Sequence, residues 1–506
     1  MSYNDTDLST PYEIVNAFND FFSSTNILSR PSKMQSISTS LSSTPISLTP
    51  LTDDEILYAL RRSKDSFTAG IDGIPSFILK DCAHAFVRPL LLLFNLIIKK
   101  SQFPDIWKQA SLTPVFKKGD PKLVQNYRPI ALLCNFSKIL ECIIHKRIYF
   151  QVKTLVSPEQ HGFVEKRSTI TNLAYFSQFV SEAIDRKSQV DVIYTDFQKA
   201  FDQIDHFILL NKLHHFGFTQ SLLSLLESYL FNRVQFVKYR NFHSSNFSPT
   251  SGVPQGSNLG PLLFLLFIND IVDEIHCEKL LYADDMKLFF EIKSVGDCLA
   301  LQSDLNQLLE WCKENRLTLN ISKCNVMSFT RKKEFYQHNY VLNAVPVNRV
   351  YLFRDLGILF DQKFYFVDHI SDILAKSYKT YGFIYRNCKD FSDISVLILL
   401  FCSLIRSRLE YGIMVWYPIY NIHVNHLETL QRKYLKFISY LIDGAYPPRG
   451  FDHTVLLARF NLTTLHTRRV VSVLRFLYNL VHFRIDCPYL LHKLNFLVPR
   501  LNSRNS

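Results

Sequence analysis

Three aspartates in two separate stretches of the chain could form one acidic site. Asp284 and Asp285 end a YADD sequence that lies between two short apolar runs. Asp196 ends another run, which begins at Asp191. Successive strand residues point to opposite faces, so an acidic pair at a hairpin turn can place one carboxylate in a shared site and the other beside it. A second acidic strand would complete that site, and the run ending at Asp196 is the candidate.

Carboxylates that converge in this way predict a divalent metal site. Close carboxylates repel one another, and their pKa values rise unless a cation neutralises them. Mg²⁺ binds to a few carboxylates together with waters and substrate phosphates. Two such ions can stabilise both the attacking and the leaving oxygen of an in-line phosphoryl transfer. The tetrapeptide alone also suits an ordinary Asp-rich hairpin turn, so its surroundings must decide between the two interpretations.

A glycine- and proline-rich loop lies between the two acidic stretches. The sequence GVPQGSNLGP occupies residues 252–261 and precedes a long apolar run. Glycine lets the main chain come close to a nucleotide or a base pair. A simple loop before a helix would have no reason to lie between the acidic segments, so its position favours a nucleotide site.

Short strands and intervening helices must position these residues. Capping boxes at Thr52 with Glu55 and at Ser294 with Asp297 predict the beginnings of two helices. Hydrophobic periodicity predicts strands at 192–197, 280–282 and 286–290, and helices at 207–216, 221–231 and 262–275.

The two ends of the chain differ from its centre. Residues 22–50 are rich in Ser, Thr and Pro, so we predict a linker-like segment over 1–50 and a folded part from Leu51. After residue 366 the pattern is almost wholly helical. Its cation clusters suit a phosphate backbone or a solvated face; they are Arg406 with Arg408, Arg432 with Lys433 and Lys436, and Arg468 with Arg469.

Composition sets broad limits on function. The 506 residues are 47% hydrophobic and 20% charged, which excludes a mainly disordered chain. The net charge of +12 favours a polyanionic partner. The sequence contains no CxxC pair, so it gives no indication of a zinc site. Apolar runs too short to span a membrane and the absence of a signal-like N-terminus predict an intracellular protein, in the nucleus or cytoplasm, with no membrane partner.

Eight ordered motifs carry a family resemblance between about residues 51 and 469. They are FKKGD (116–120) with NYRPI (126–130), QHGF (160–163), DFQKAFD (196–202), GVPQGSNLGP (252–261), YADD (282–285), NRLTLNISK (315–323), LGILFD (356–361) and SRLEYGIMVW (407–416). In this order they resemble the reverse transcriptase of non-long-terminal-repeat (LINE-type) retrotransposons, in particular Jockey-like elements.

The resemblance implies an α+β, right-hand polymerase fold with fingers, palm and thumb, an antiparallel palm sheet and a helical C-terminal domain. The implied divisions are a linker-like segment over 1–50, fingers and the start of the palm over 51–190, the palm with the catalytic hairpin and primer-grip region over 191–365, and a helical thumb with a C-terminal extension over 366–506.

It also implies roles for individual residues. Asp196, Asp284 and Asp285 would bind two Mg²⁺ ions, with Mn²⁺ as a substitute, and Lys323 would protonate the leaving pyrophosphate. The nucleotide would be held by Lys117 and Arg128 through charge-assisted bonds, by Gln255 in the pocket wall and by the Phe197 carbonyl. The large ring of Phe201 would exclude a ribose 2′-hydroxyl.

The implied activity is RNA-directed DNA synthesis with an RNA template, a DNA primer and dNTPs; the resemblance gives no protein partner. Two alternatives stay open: a domesticated or catalytically impaired nucleic-acid-binding copy, and a telomerase-like or RNA-templated RNA polymerase. Arg354 and Asp355 depart from the family at the primer-grip turn, where an aromatic or lysine is common. About 50 residues precede the polymerase motifs, so no endonuclease domain is expected ahead of them.

Overall fold

The computed structural model of the protein describes residues 1–24, 44–391 and 393–495, which form a mixed fold of helices and short strands. The strands are β1 (Ser2–Tyr3), β2 (Thr6–Asp7), β3 (Gln109–Phe116), β4 (Tyr127–Leu132), β5 (Gln189–Thr195), β6 (Val234–Tyr239), β7 (Phe242–His243), β8 (Glu278–Tyr282), β9 (Asp285–Ile292), β10 (Asn325–Phe329), β11 (Val341–Leu342), β12 (Val345–Pro346), β13 (Asn348–Arg349), β14 (Leu352–Asp355) and β15 (Ile358–Asp361). The helices are α1 (Pro11–Ser23), α2 (Asp53–Arg61), α3 (Ser76–Asp81), α4 (Ala83–Lys100), α5 (Asn135–Val152), α6 (Thr169–Asp185), α7 (His206–His215), α8 (Gln220–Leu230), α9 (Gly260–Ile268), α10 (Val295–Glu314), α11 (Val367–Asn387), α12 (Ile394–Leu400), α13 (Ser407–Glu410), α14 (Ile413–Trp416), α15 (Asn421–Asp443), α16 (His453–Arg459), α17 (Leu465–Val481) and α18 (Pro488–His492). This mixture agrees with the predicted α+β class.

A five-stranded sheet with the order β13-β10-β5-β9-β8 lies at the centre. Strand β5 pairs antiparallel with β9 on one side and with β10 on the other. Its side chains alternate between two cores, with Ile193 in one and Val192 and Tyr194 in the other. Because both faces are covered, a carboxylate can reach water only at the end of this strand.

A four-stranded sheet with the order β4-β3-β6-β7 supports the N-terminal helix. Helix α1 begins with a capping box formed by Thr10 and Glu13. It buries Phe18 and Phe22 in a core shared with β3 and β4, and the ring of Phe18 meets that of Tyr127 edge-on with centroids 5.1 Å apart.

The predicted linker-like segment over 1–50 is therefore wrong for α1. The apolar side chains of α1 are stabilised by packing on the sheet. The Ser-rich composition of the following stretch gave no indication of this packing. Residues 25–43, on which most of that prediction rests, lie outside the described residues.

The described residues beyond 366 fold mainly as helices, from α11 to α18, as the periodicity predicts. The apolar stripes of α11 and α15 are buried at Ile370, Ile373, Leu427 and Leu430. They share a core with one face of the five-stranded sheet, so the helical half is packed directly behind β5. In the three described ranges, no helix is both long enough and apolar enough to cross a membrane.

Candidate active site

The YADD sequence forms a tight β-hairpin, as predicted. Tyr282 of β8 pairs with Asp285 of β9, so Ala283 and Asp284 are the two turn residues. Ala283 has a φ of +57°, in the left-handed region that costs a non-glycine residue about 1–2 kcal/mol. The turn that carries Asp284 therefore needs neighbours that hold it.

Asp196 lies at the same end of the sheet as this turn. In the antiparallel pairing of β5 with β9, Thr195 is opposite Met286, so the next residue of the chain, Asp196, lies beside the beginning of β9. Its main-chain oxygen accepts a hydrogen bond of 2.7 Å from Asn320 N. The sheet thus brings together the two acidic stretches, which are 88 residues apart in the chain.

The carboxylates influence one another electrostatically. Burial raises the pKa of Asp284, and the charge of Asp196 raises it further. Asp285 is exposed, but the surrounding protein limits the hydration of its carboxylate. This loss of hydration and the charges of Asp284, Asp355 and Asp196 raise the pKa of Asp285 to about 6. The three aspartates therefore lie close enough for their charges to affect one another.

Three cations face the acidic group. Lys323, in a short 3-10 turn, places its Nζ 2.8 Å from Asp196 Oδ2. Partial burial lowers the pKa of Lys117, and the charges of Arg128 and Lys323 lower it further. Lys117 and Arg128 in turn lower the pKa of Asp284. Positive and negative side chains therefore line one space, which suits a ligand that carries both phosphate and metal.

The glycine-rich loop packs against main chain on two sides. At Gly252, with φ +83°, an added Cβ would lie 2.7 Å from Asp202 Cα, and at Gly256, with φ +111°, it would lie 2.9 Å from the Ala131 oxygen. Between them, Gln255 Nε2 donates to Asp202 Oδ1 at 2.7 Å. Only glycine allows the loop to approach both segments this closely.

One cavity of about 600 Å³ collects all the site residues that the sequence predicts. The predicted residues that line it are Lys117, Arg128, Asp196, Phe197, Phe201, Gln255, Asp284, Asp285 and Lys323. The ring of Phe201 is stacked on that of Phe264, with centroids 4.4 Å apart, so it is fixed at the cavity wall.

Sequence reasoning missed part of this wall. Phe21 and Phe22 of α1 also line the cavity, and Lys199 Nζ lies 4.1 Å from the centroid of the Phe21 ring. The signal was present in the capping box of Thr10 and Glu13 and in the spacing of the apolar residues behind it.

The carboxylates of this site suit a metal ion whose coordination sphere is completed by substrate. In the part of the chain that the structure describes, no group of three or more His, Cys, Asp or Glu side chains is arranged to hold a metal ion by itself. Mg²⁺, however, commonly takes only one or two carboxylates and fills its sphere with waters and substrate phosphates.

The structure changes the interpretation of two other sequence features. Arg468 forms an ion pair with Glu410, and Arg469 is buried, so this pair serves internal packing and not an exposed phosphate-binding face. At the β14–β15 turn, Asp355 forms a buried ion pair with Lys287, and Arg354 bonds to Asp372 at 2.8 Å. The unusual residues there anchor the β14–β15 hairpin to the sheet and to α11.

Comparisons with known proteins show which proteins this chain is similar to. Residues 115–362 match the family described as reverse transcriptase (RNA-dependent DNA polymerase). A probable RNA-directed DNA polymerase from transposon X-element of Drosophila melanogaster is 27% identical over 405 residues, which are 78% of this chain and 44% of the relative. The corresponding protein from transposon BS of the same species is 28% identical over 447 residues, covering 84% and 49%.

The RNA-directed DNA polymerase from the Drosophila melanogaster mobile element jockey is 29% identical over 378 residues, covering 72% of this chain and 40% of the relative. The chain spans less than half the length of each of these three relatives. The matched range runs from the end of β3 to β15, which includes the hairpin, the glycine-rich loop and all nine predicted site residues. Residues 115–362 therefore match the reverse transcriptase family, and the chain is similar over most of its length to the RNA-directed DNA polymerases of these three transposons.

Proposed function

We propose that the protein is an RNA-directed DNA polymerase that extends a DNA primer on an RNA template with dNTPs. The observation that supports this most is one cavity lined by four aspartates, four cationic side chains, Phe201 and residues of the glycine-rich loop. Nucleotidyl transfer needs acidic metal ligands on one side and phosphate-binding cations on the other. The relatives carry RNA-directed DNA polymerase in their names, which favours this polymerase over others.

Asp196, Asp284 and Asp285 would hold the divalent cations. Bound Mg²⁺, or Mn²⁺ in its place, would supply charge neutralisation and orientation for an in-line phosphoryl transfer. Lys323 forms an ion pair with Asp196 through a contact of 2.8 Å. Because that lysine lines the same cavity, it would donate a proton to pyrophosphate as the product leaves.

The remaining cavity residues would bind and select the nucleotide. Lys117 and Arg128 would hold the triphosphate by charge-assisted hydrogen bonds. Gln255, fixed by Asp202, would line the pocket, and the Phe197 main chain would complete it. Phe201 cannot move away from a 2′-hydroxyl without losing its stacking on Phe264, so it would exclude ribonucleotides.

The polymerase subdomains follow from this assignment. Residues 51–190 would form the fingers and the start of the palm, 191–365 the palm and primer-grip region, and 366–506 the thumb and C-terminal extension. The helix α1 would join the fingers because it packs on β3 and β4.

Primer extension on poly(rA)/oligo(dT) tests the proposal. Asp284→Asn should lower the rate at least about 100-fold, the size of effect seen when one transition-state-stabilising group is lost. The matched control is Asp390→Asn, an exposed aspartate between α11 and α12, which should retain the wild-type rate. An Asp284→Asn protein that extends primers normally would refute the assignment.

A further pair of measurements separates DNA from RNA synthesis. Phe201→Ala should raise the use of rNTPs relative to dNTPs, because the ring that blocks the 2′-hydroxyl is gone. A wild-type enzyme that already prefers rNTPs would favour an RNA-templated RNA polymerase instead.

A further inference from the structure

The QHGF segment lies against the catalytic hairpin. Its main chain runs beside β8: His161 N donates to the Leu281 oxygen at 2.8 Å, and Leu281 N donates to the Glu159 oxygen at 3.0 Å. The segment therefore extends the five-stranded sheet at its edge, next to the turn that carries Asp284.

The Gln160 side chain clamps that turn. Its Oε1 accepts hydrogen bonds from Ala283 N at 2.9 Å and from Gly162 N at 2.8 Å. Its Nε2 faces the Ala283 oxygen at 3.3 Å. With only 3% of the residue exposed, water cannot replace these bonds, so one amide group satisfies the main chain of Ala283 on both sides.

Gly162 makes the close approach feasible. An added Cβ at this position would lie 2.3 Å from Ala283 N, so any larger residue would push the turn away. Ala283 itself has the strained φ of +57°, and a strained residue persists only where its surroundings over-determine its conformation.

The clamp is itself held from behind. Arg167 donates from one guanidinium nitrogen to the Gln160 oxygen at 2.8 Å and to the Ser157 oxygen at 2.7 Å. Its Nε bonds to Asp486 Oδ2, also at 2.8 Å. Gln160 is thus fixed at its main chain as well as at its side chain.

We propose that Gln160 is a positioning residue of the polymerase site, which holds Ala283 in its left-handed conformation and thereby aims the Asp284 carboxylate at the metal. Gln160 lies outside the cavity lining, so it acts through the turn and not on substrate. The effect on catalysis rests on the proposed function. The effect of Gln160 on the conformation of Ala283 does not depend on it.

The test compares Gln160→Met with wild type. Methionine has a similar volume and makes none of the three bonds. Loss of a group that orients a metal ligand typically lowers metal affinity or activity 10- to 100-fold. We expect a loss of about this size in Mn²⁺ affinity, measured by electron paramagnetic resonance, and in kcat for primer extension, with the KM for dNTP changed by less than about threefold.

Two further variants separate positioning from general stability. Asn172→Leu removes the 3.1 Å bond from Asn172 Nδ2 to the Leu281 oxygen of the same strand, without touching the turn. It should lower Tm, yet leave the Mn²⁺ affinity unchanged. Adding Ala283→Gly to Gln160→Met should restore much of the lost affinity, because glycine adopts the left-handed conformation unaided.

Either of two results would overturn the proposal. One is a Gln160→Met protein with wild-type Mn²⁺ affinity and kcat; the other is an equal loss of Mn²⁺ affinity in Asn172→Leu. If Gln160→Met does not fold, Gln160→Asn replaces it, since the shorter side chain withdraws the amide from Ala283. If wild type extends no primer, the proposed function fails, while Mn²⁺ affinity still decides the role of Gln160.

Discussion

The buried ion pair between Lys287 and Asp355 allows a quantitative prediction about the β14–β15 hairpin. Lys287 is on β9, two residues after Asp285, and Asp355 ends β14. Only 5% and 8% of their side chains are exposed. Burial lowers the pKa of Lys287, while the charge of Asp355 raises it. Each charge is therefore tolerated because the other is present.

The magnitude follows from removing one partner. Lys287→Met or Asp355→Leu leaves the other charge buried and uncompensated, which costs about 3–5 kcal/mol. Replacing both charges with apolar residues of similar volume removes the pair and its desolvation cost together, so the double variant should lie within about 1–2 kcal/mol of wild type. The hairpin should keep its place in the double variant, because Phe353 stacks on Tyr194 with ring centroids 3.9 Å apart.

Urea unfolding followed by tryptophan fluorescence measures these differences in the free energy of unfolding. Trp311 and Trp416 are buried on the two sides of the sheet, so one signal reports on both cores. If the double variant loses as much as the two single variants combined, the two charges do not depend on each other and the reasoning is wrong.

Two further predictions concern the glycine-rich loop and the pH dependence of stability. Gly256→Ala should destabilise the loop and raise the KM for dNTP, because its Cβ would meet the Ala131 oxygen; Gly450→Ala, which has φ +80° but no described heavy atom within 4 Å, controls for backbone strain, and an equal KM in both would contradict the contact. Burial lowers the pKa of His161 to about 3, below the ~6.5 of an unfolded histidine. Its stabilising contribution is therefore complete above pH 6.5 and falls as the pH decreases towards 3, by about 2 kcal/mol between pH 7 and 5. His161→Gln should remove that part of the acid dependence in urea unfolding at the two pH values, and an unchanged difference would argue against it.

The sequence predicted secondary structure best where a short local pattern also carried the acidic residues or a helix cap. The strands that end at Asp196 and flank the YADD turn, and the helix capped by Ser294, follow from patterns a few residues long. Their convergence could be expected because the motifs occur in an order known from a family. Helix 262–275 was predicted too long: α9 ends at Ile268, and a 3-10 turn follows at Asn269–Val272. The Asn269 side chain bonds there to Ser157 N and the Leu155 oxygen.

What could not be predicted depends on contacts between distant parts of the chain. The bond from Gln160 to Ala283 spans 123 residues, and nothing local to either residue indicates it. The pairing of Lys287 with Asp355 explains a departure from the family that looked like a defect in the sequence. The role of α1 was hidden because the Ser-rich stretch behind it dominated the composition of the first 50 residues.

The position of α1 has a practical consequence for anyone who trims this protein for expression. A fragment beginning at Leu51, the boundary that composition suggests, would lose Phe21 and Phe22 from the wall of the cavity that Asp284 lines. It would also uncover Leu112 and Val237 of the neighbouring sheet. Such a fragment should aggregate and polymerise poorly, and its inactivity would be mistaken for a dead enzyme.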